Sequence, residues 1–171
     1  MHVLVGGWPG SGKTTLATAL AGELGVPLLA KDELKEALAD ALGAPTDVAA
    51  SQRLGRAAAR GVLTLARRCP DAVVDSTWFE GVRPLVEALP RPRVEIRCVV
   101  PVEIARARYR ARASTGGSHP AHLDLERDEA ELWGDPVAPL GVGPLLEVDT
   151  TGAVDVPALA RAIRAAATGR P

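Results

Sequence analysis

Short apolar runs alternate along the chain with longer stretches in which apolar positions recur every three or four residues. The short runs predict strands near residues 3–6, 27–30, 72–74, 94–100 and 145–148. The longer stretches predict helices over 13–24, 32–42, 82–89, 102–112, 123–132 and 155–167, with one long helix or a helix pair over 46–68. Strands alternating with helices imply a parallel sheet covered on both faces, because each crossover lays a helix on one side. The expected fold is therefore α/β, a three-layer doubly wound domain with a parallel five-stranded sheet. Ligands in such folds lie beyond the carboxyl ends of the strands, so the segments after each strand are the ones to read for chemistry. The tail from Ala165 to Pro171 is expected to fray.

The segment after the first strand carries the strongest signal. Gly7-Trp8-Pro9-Gly10-Ser11-Gly12-Lys13-Thr14 fits the phosphate-cradling pattern G-x-x-x-x-G-K-[ST], and Thr15 adds a second hydroxyl. Glycines let the backbone curl until its N–H groups face phosphate oxygens; Lys13 brings an ammonium to the outer phosphates and Thr14 offers a Mg²⁺ ligand. The context fits, since a strand precedes the loop and a helix follows it. The nucleotide-binding set is thus Gly7, Pro9, Gly10, Ser11, Gly12, Lys13, Thr14 and Thr15, with ATP and Mg²⁺ as the expected cofactors.

Three further strand ends add candidates. Asp32 follows the second strand, either as a helix-capping acid or as a general base for an acceptor hydroxyl. Asp75 closes the third strand, where a carboxylate can partner the loop hydroxyl in holding Mg²⁺; Ser76 and Thr77 read as turn formers. After the fourth strand, Arg108 and Arg112 are four apart on one helix face, ahead of a Gly-rich stretch suited to a lid. Guanidinium groups brought in from such a segment can stabilise the charge of a transferring phosphoryl group. Trp8, Trp78, Phe79 and Tyr109 map near this site and Trp133 does not, which hints at an apolar acceptor wall. His119 and His122 are expected to be structural loop histidines, not a metal half-site.

Composition narrows the classes. At 171 residues the chain is expected to be one domain over 1–171, and 47% hydrophobic with 24% charged residues is ordinary for a globular protein. A net charge of -1 leaves no overall basic surface for a long polyanion. Cys69 and Cys98 are far apart and form no metal-type cluster, no leader pattern is visible, and no apolar run approaches the roughly 18 to 20 residues of a membrane span. A cytoplasmic location without a membrane anchor is the expectation.

The stretches GGWPGSGKTT, LLAKDELKEAL, VVDSTWFEG and VVPVEIARARYRARASTGGSHPAHLD together resemble the P-loop kinases that include phage polynucleotide kinase, zeta toxins and chloramphenicol phosphotransferase. The likeness runs from residue 3 to about 125 and implies a P-loop NTPase fold of the nucleoside-monophosphate-kinase kind, with a helical lid over approximately 108–125. It places the family's general base on Asp32, its loop lysine and hydroxyl on Lys13 and Thr14, its strand-end acid on Asp75 and its lid arginines on Arg108 and Arg112. The family's acceptor-side arginine is Lys35 here, and a neighbouring one is Lys31; a lysine lacks the bidentate fork. The acceptor contacts expected are Asp32, Lys35, Trp78 and Phe79. A kinase transferring the γ-phosphate of ATP to a small-molecule hydroxyl (nucleoside, sugar or antibiotic) is the leading reading. A 5′-hydroxyl polynucleotide kinase and an ATPase switch without an acceptor are the alternatives, nucleic acid being opposed by the net charge. The sequence names neither the acceptor nor the oligomeric state.

Overall fold

A computed structural model describes residues 1–115, 117–133 and 137–169. Its sheet has the order β2-β3-β1-β4-β5, with β1 at His2–Gly6, β2 at Leu28–Ala30, β3 at Ala72–Asp75, β4 at Arg93–Val99 and β5 at Leu145–Asp149, every pairing parallel. Period-two alternation decides which face each side chain feeds. Val3 and Val5 of β1 point into one core layer, with Leu16 and Leu20 of α1 (Lys13–Leu24) and Ile163 of α7 (Val156–Thr168). Leu4 between them points the other way, onto Val62 and Leu63 of α3 (Val48–Ala66) and Val86 of α4 (Arg83–Glu87). The remaining helices are α2 (Lys31–Leu42), α5 (Val102–Ser114) and α6 (Glu129–Trp133). This is the doubly wound five-stranded α/β architecture that the hydrophobic pattern predicts.

The predicted boundaries hold for α1 and shift elsewhere for local reasons. The 46–68 stretch is one helix, started where the Asp47 side chain accepts from the Ala50 N–H at 2.7 Å. Over 82–89 a 3₁₀ turn at Glu80–Val82 leads into the shorter α4. The helix expected over 123–132 does not form as such. Leu123 adopts a left-handed backbone, φ 52°, which separates the 3₁₀ turns Pro120–His122 and Asp124–Glu126, and only α6 remains helical. At the C-terminus the expected fraying is contradicted as far as Thr168: α7 continues to that residue and is closed by Gly169 at φ 64°, while residues 170–171 lie outside the described chain. None of the described helices is long and apolar enough to cross a membrane.

Candidate functional site

The parallel register brings three strand ends together. Val5, the second-last residue of β1, pairs with Asp75, and Asp75 pairs in turn with Ala30 at the end of β2. Asp32 therefore stands two residues beyond the end of β2 and Asp75 at the end of β3, the strand between β2 and the β1 that feeds the Gly-rich loop. That loop is closed by the Ser11 N–H donating to the Trp8 carbonyl at 3.1 Å and by Lys13 Nζ donating to the same carbonyl at 3.3 Å. Gly10 has φ +75°, and a Cβ there would lie 2.3 Å from the Ala105 carbonyl oxygen, so only glycine lets α5 pass this close to the loop. Gly12, left-handed at φ 83°, turns the chain into α1.

Electrostatics separate the two carboxylates. Burial raises the Asp75 carboxyl above its ordinary range, against the opposing pull of Lys13 and a hydrogen bond from Thr14. Its Oδ1 is buried without a hydrogen-bond partner among the described residues. For Asp32 burial pushes upward as well, but the charges of Lys31 and Lys13 outweigh it and hold the carboxyl at about 2. Lys31 Nζ sits 2.6 Å from Asp32 Oδ1. The Lys13 ammonium, stripped of water by burial, has its pKa lowered despite Asp75 and Asp32. Behind the loop the Cys98 thiol is pushed up to about 12 by burial, which keeps it protonated and unreactive.

Two cavities flank the loop. One, about 450 Å³, lies between the start of α1 and the loop after β5, and is lined by Gly12, Thr15, Leu16, Arg108, Thr150 and Val154 among others. The other, about 370 Å³, is lined by Pro9, Lys13, Thr14, Lys31, Asp32, Lys35, Thr77, Phe79, Arg112 and residues of the 122–132 segment. It is bordered by cross-bridges from residues 121–131: Ser51 Oγ donates to the Ala121 carbonyl at 2.7 Å, Gln52 Nε2 to Glu131 at 2.8 Å, and His122 Nε2 meets Glu36 at 2.8 Å.

Most of the residues singled out from the sequence border these two cavities, with three corrections. Arg108 and Arg112 border different cavities: Arg108 donates to the carbonyls of Thr150 and Thr151 at 3.1 and 2.9 Å beside the first. Arg112 faces the second, beside Asp124 at 3.4 Å and over the Tyr109 ring. The helix face they share is broad enough to border both. Trp78 does not line the acceptor-side cleft. It is 8% exposed in the core beneath Gly6, where a Cβ would meet its ring at 2.4 Å, and only Phe79 of the pair reaches the cleft. Trp133, read as remote, makes edge contacts with Tyr109 and Trp8 at 5.8 and 6.3 Å, because α6 folds back onto α5. His119 and His122 bind Asp40 and Glu36 of α2, and no group of three metal-type side chains occurs among the described residues. Sequence reading missed Ser51, Glu36, Asp124 and Arg127, whose roles depend on which helices meet.

A Gly-rich loop and helix at the end of a central parallel strand, with a buried carboxylate on the next strand, define a P-loop fold of the kinase-like kind. The chain belongs to the AAA domain family, whose model matches residues 2–132. It is similar to the crystal structure of a candidate kinase from Chloroflexus aurantiacus J-10-fl, with 31% identity and a TM-score of 0.82 over 96% of this chain and 97% of that one. Shikimate kinase from Acinetobacter baumannii in complex with shikimate shares the fold at 21% identity and TM-score 0.58, covering 96% and 90%. Kti12 from Chaetomium thermophilum in complex with ADP-AlF3 does so at 19% and 0.62, covering 98% and 99%. No curated protein sequence matches the chain significantly.

Proposed function

We propose that this protein is an ATP-dependent phosphotransferase that moves the γ-phosphate to a hydroxyl of a small molecule. The observation that carries the reading is that Asp32 shares the 370 Å³ cleft with Lys13 and Thr14, so a carboxylate faces the space next to the phosphate loop. The loop also fits a triphosphate: Ser11 Oγ is buried with no partner among the described residues, and Lys13 is 8% exposed. Thr14 and the unpartnered oxygen of Asp75 would hold Mg²⁺, which neutralises charge on the β- and γ-phosphates when bound.

In this reading the hydroxyl oxygen of the acceptor attacks the γ-phosphorus as its proton passes to Asp32, the bond to the β–γ bridging oxygen breaks, and ADP leaves. Lys13 and Arg112 balance charge on the transferring group. Arg108 acts on the nucleoside side instead, by fixing the loop after β5. Residues 1–171 work as one unit, and the segment over approximately 108–125 is its lid. The bridges from the lid to Ser51 and Glu36 favour a compact acceptor over a strand that must leave the cleft.

The test is transfer from γ-labelled ATP to a panel of hydroxyl compounds and to a 5′-hydroxyl oligonucleotide, with wild type and Asp32→Asn. Labelling of small hydroxyl compounds, lost in the variant while ATP binding persists, supports the reading. Labelling of the oligonucleotide alone makes it a polynucleotide kinase, and hydrolysis without any labelled acceptor makes it an ATPase switch.

A further inference from the structure

Beyond the Asp32 cleft lies a third cavity, about 410 Å³, between α5 and the segment that follows it. Tyr109, Asp124, Arg127 and Leu132 line both hollows and so form the wall between them. Asp124 is the hub of that wall, with a side chain only 8% exposed. Its Oδ1 accepts from the Tyr109 hydroxyl at 2.8 Å, and its Oδ2 accepts from Ser118 Oγ and lies 3.4 Å from Arg112 Nη2. Burial pushes the Asp124 carboxyl up, but Ser118, Tyr109 and the Arg112 charge outweigh it and hold the group below its ordinary range. The Tyr109 ring serves twice: its hydroxyl fixes Asp124, and its face carries the Arg112 guanidinium, 5.5 Å from the ring centre.

Arg112 is therefore held from two sides by groups that are themselves fixed. Among the described residues Asp124 is its one acidic partner, and the contact uses Nη2 alone of a fork that carries five N–H donors. A side chain about half exposed would otherwise lose its rotamer freedom only when a phosphoryl group arrives, at the expense of the rate. We propose, resting on the phosphotransfer reading, that Asp124 is a positioning residue, which keeps Arg112 over the Asp32 cleft with its unused donors free for the transferring phosphoryl group. The carboxylate does not compete for the fork. Its closer bonds go to Tyr109 and Ser118, and the single 3.4 Å contact leaves Arg112 restrained without being neutralised by a bidentate pair.

The experiment compares the affinity for Mg²⁺ and ADP with and without aluminium fluoride, which stands in for a phosphoryl group in flight. Aluminium fluoride should tighten ADP binding to the wild type about a thousandfold or more. Arg112→Ala should cut that gain about a hundredfold and Asp124→Asn about tenfold, with affinity for ADP alone unchanged. The double variant should lose no more than Arg112→Ala, because Asp124 acts through Arg112. Should Asp124→Asn not fold, Tyr109→Phe keeps the ring under Arg112 and removes the hydroxyl that fixes Asp124; it should cut the gain about threefold. A gain lost in Arg112→Ala but kept or increased in Asp124→Asn, or in Tyr109→Phe where that is the variant used, overturns the proposal alone. So does a double variant that falls below Arg112→Ala. A wild type that binds ADP and gains nothing from aluminium fluoride overturns the phosphotransfer reading and this proposal with it.

Discussion

The two sides of the phosphate loop are built differently. On the proposed donor side the geometry is made by backbone: left-handed Gly10 and Gly12, the Ala105 carbonyl against Gly10, and the Thr150 and Thr151 carbonyls that fix Arg108. On the side of the Asp32 cleft, the proposed acceptor side, it is made by side chains from α2, α3, α5 and the segment after α5, joined through Lys31–Asp32, Lys35–Ser51, His122–Glu36 and Arg112–Asp124. A backbone cradle suits a ligand part that every nucleotide shares. A side-chain cleft can change one residue at a time, and under the proposed function that is where acceptor identity would reside.

That contrast can be broken most severely at its two chemical centres. Asp32→Asn should lower transfer by roughly a hundredfold or more with nucleotide binding retained. Gly10→Val should abolish nucleotide binding with Asp32 untouched, because its Cβ meets the Ala105 carbonyl. Steady-state kinetics beside calorimetry with an ATP analogue distinguishes them; a Gly10→Val protein that still binds the analogue would show that the cradle is not the donor site.

The two arginines should part company next. Arg112→Ala is expected to reduce kcat by about a hundredfold, the scale of losing one charge-stabilising donor, with little change in nucleotide affinity. Arg108→Ala should weaken nucleotide binding about tenfold and spare kcat, since it frees the loop after β5. Equal effects of both on kcat would restore the reading in which they act on one place. Beneath the donor side, Leu20 is fully buried, and Leu20→Ala should cost about 2–5 kcal/mol in denaturant unfolding, with kinetics per folded molecule unchanged.

The smallest effects are in pH dependence, and they have opposite signs. Asp32 is held at about 2, below its ordinary 3.8, so its ionised form stabilises the fold above pH 3.8 and that contribution disappears as pH falls through about 2. Asp75 is raised, so its charge costs stability at neutral pH and protonation relieves the cost as pH falls through its elevated pKa. In thermal melts, Asp32→Asn should be less stable than wild type at pH 7 and converge with it in acid. Asp75→Asn should be more stable at pH 7 and also converge. Parallel behaviour of the two variants would refute the assigned charges.

The donor side was the more legible half in the sequence because its determinants are contiguous. Residues 7–14 carry their own turn chemistry, and α1 has the predicted bounds, closed at its far end by left-handed Gly25. Reading the strand ends pointed to Asp32 and Asp75 separately, and the parallel register of β2 with β3 is what brings those two ends side by side. The acceptor side was less legible. Ser51 looks like any helical serine until α3 meets the turn at Ala121, and Trp133 looks remote until α6 folds back on α5. Trp78 and Phe79, adjacent in sequence, part because the chain leaving β3 turns one ring under Gly6 and the next toward solvent. The helix expected over 123–132 gave way at Leu123, where local propensity lost to the hydrogen bonds that Asp124 accepts from Tyr109 and Ser118.

Arg108 and Arg112 also make α5 a ruler. Four residues of helix set their Cα atoms about 6 Å apart along the axis, and neither can move along it alone. A single residue inserted between them would keep Arg108 bolted to Thr150 and swing Arg112 by about 100° around the helix, out of register with the cleft. The spacing of these two residues is therefore fixed as a length: an insertion between them keeps one contact only by giving up the other.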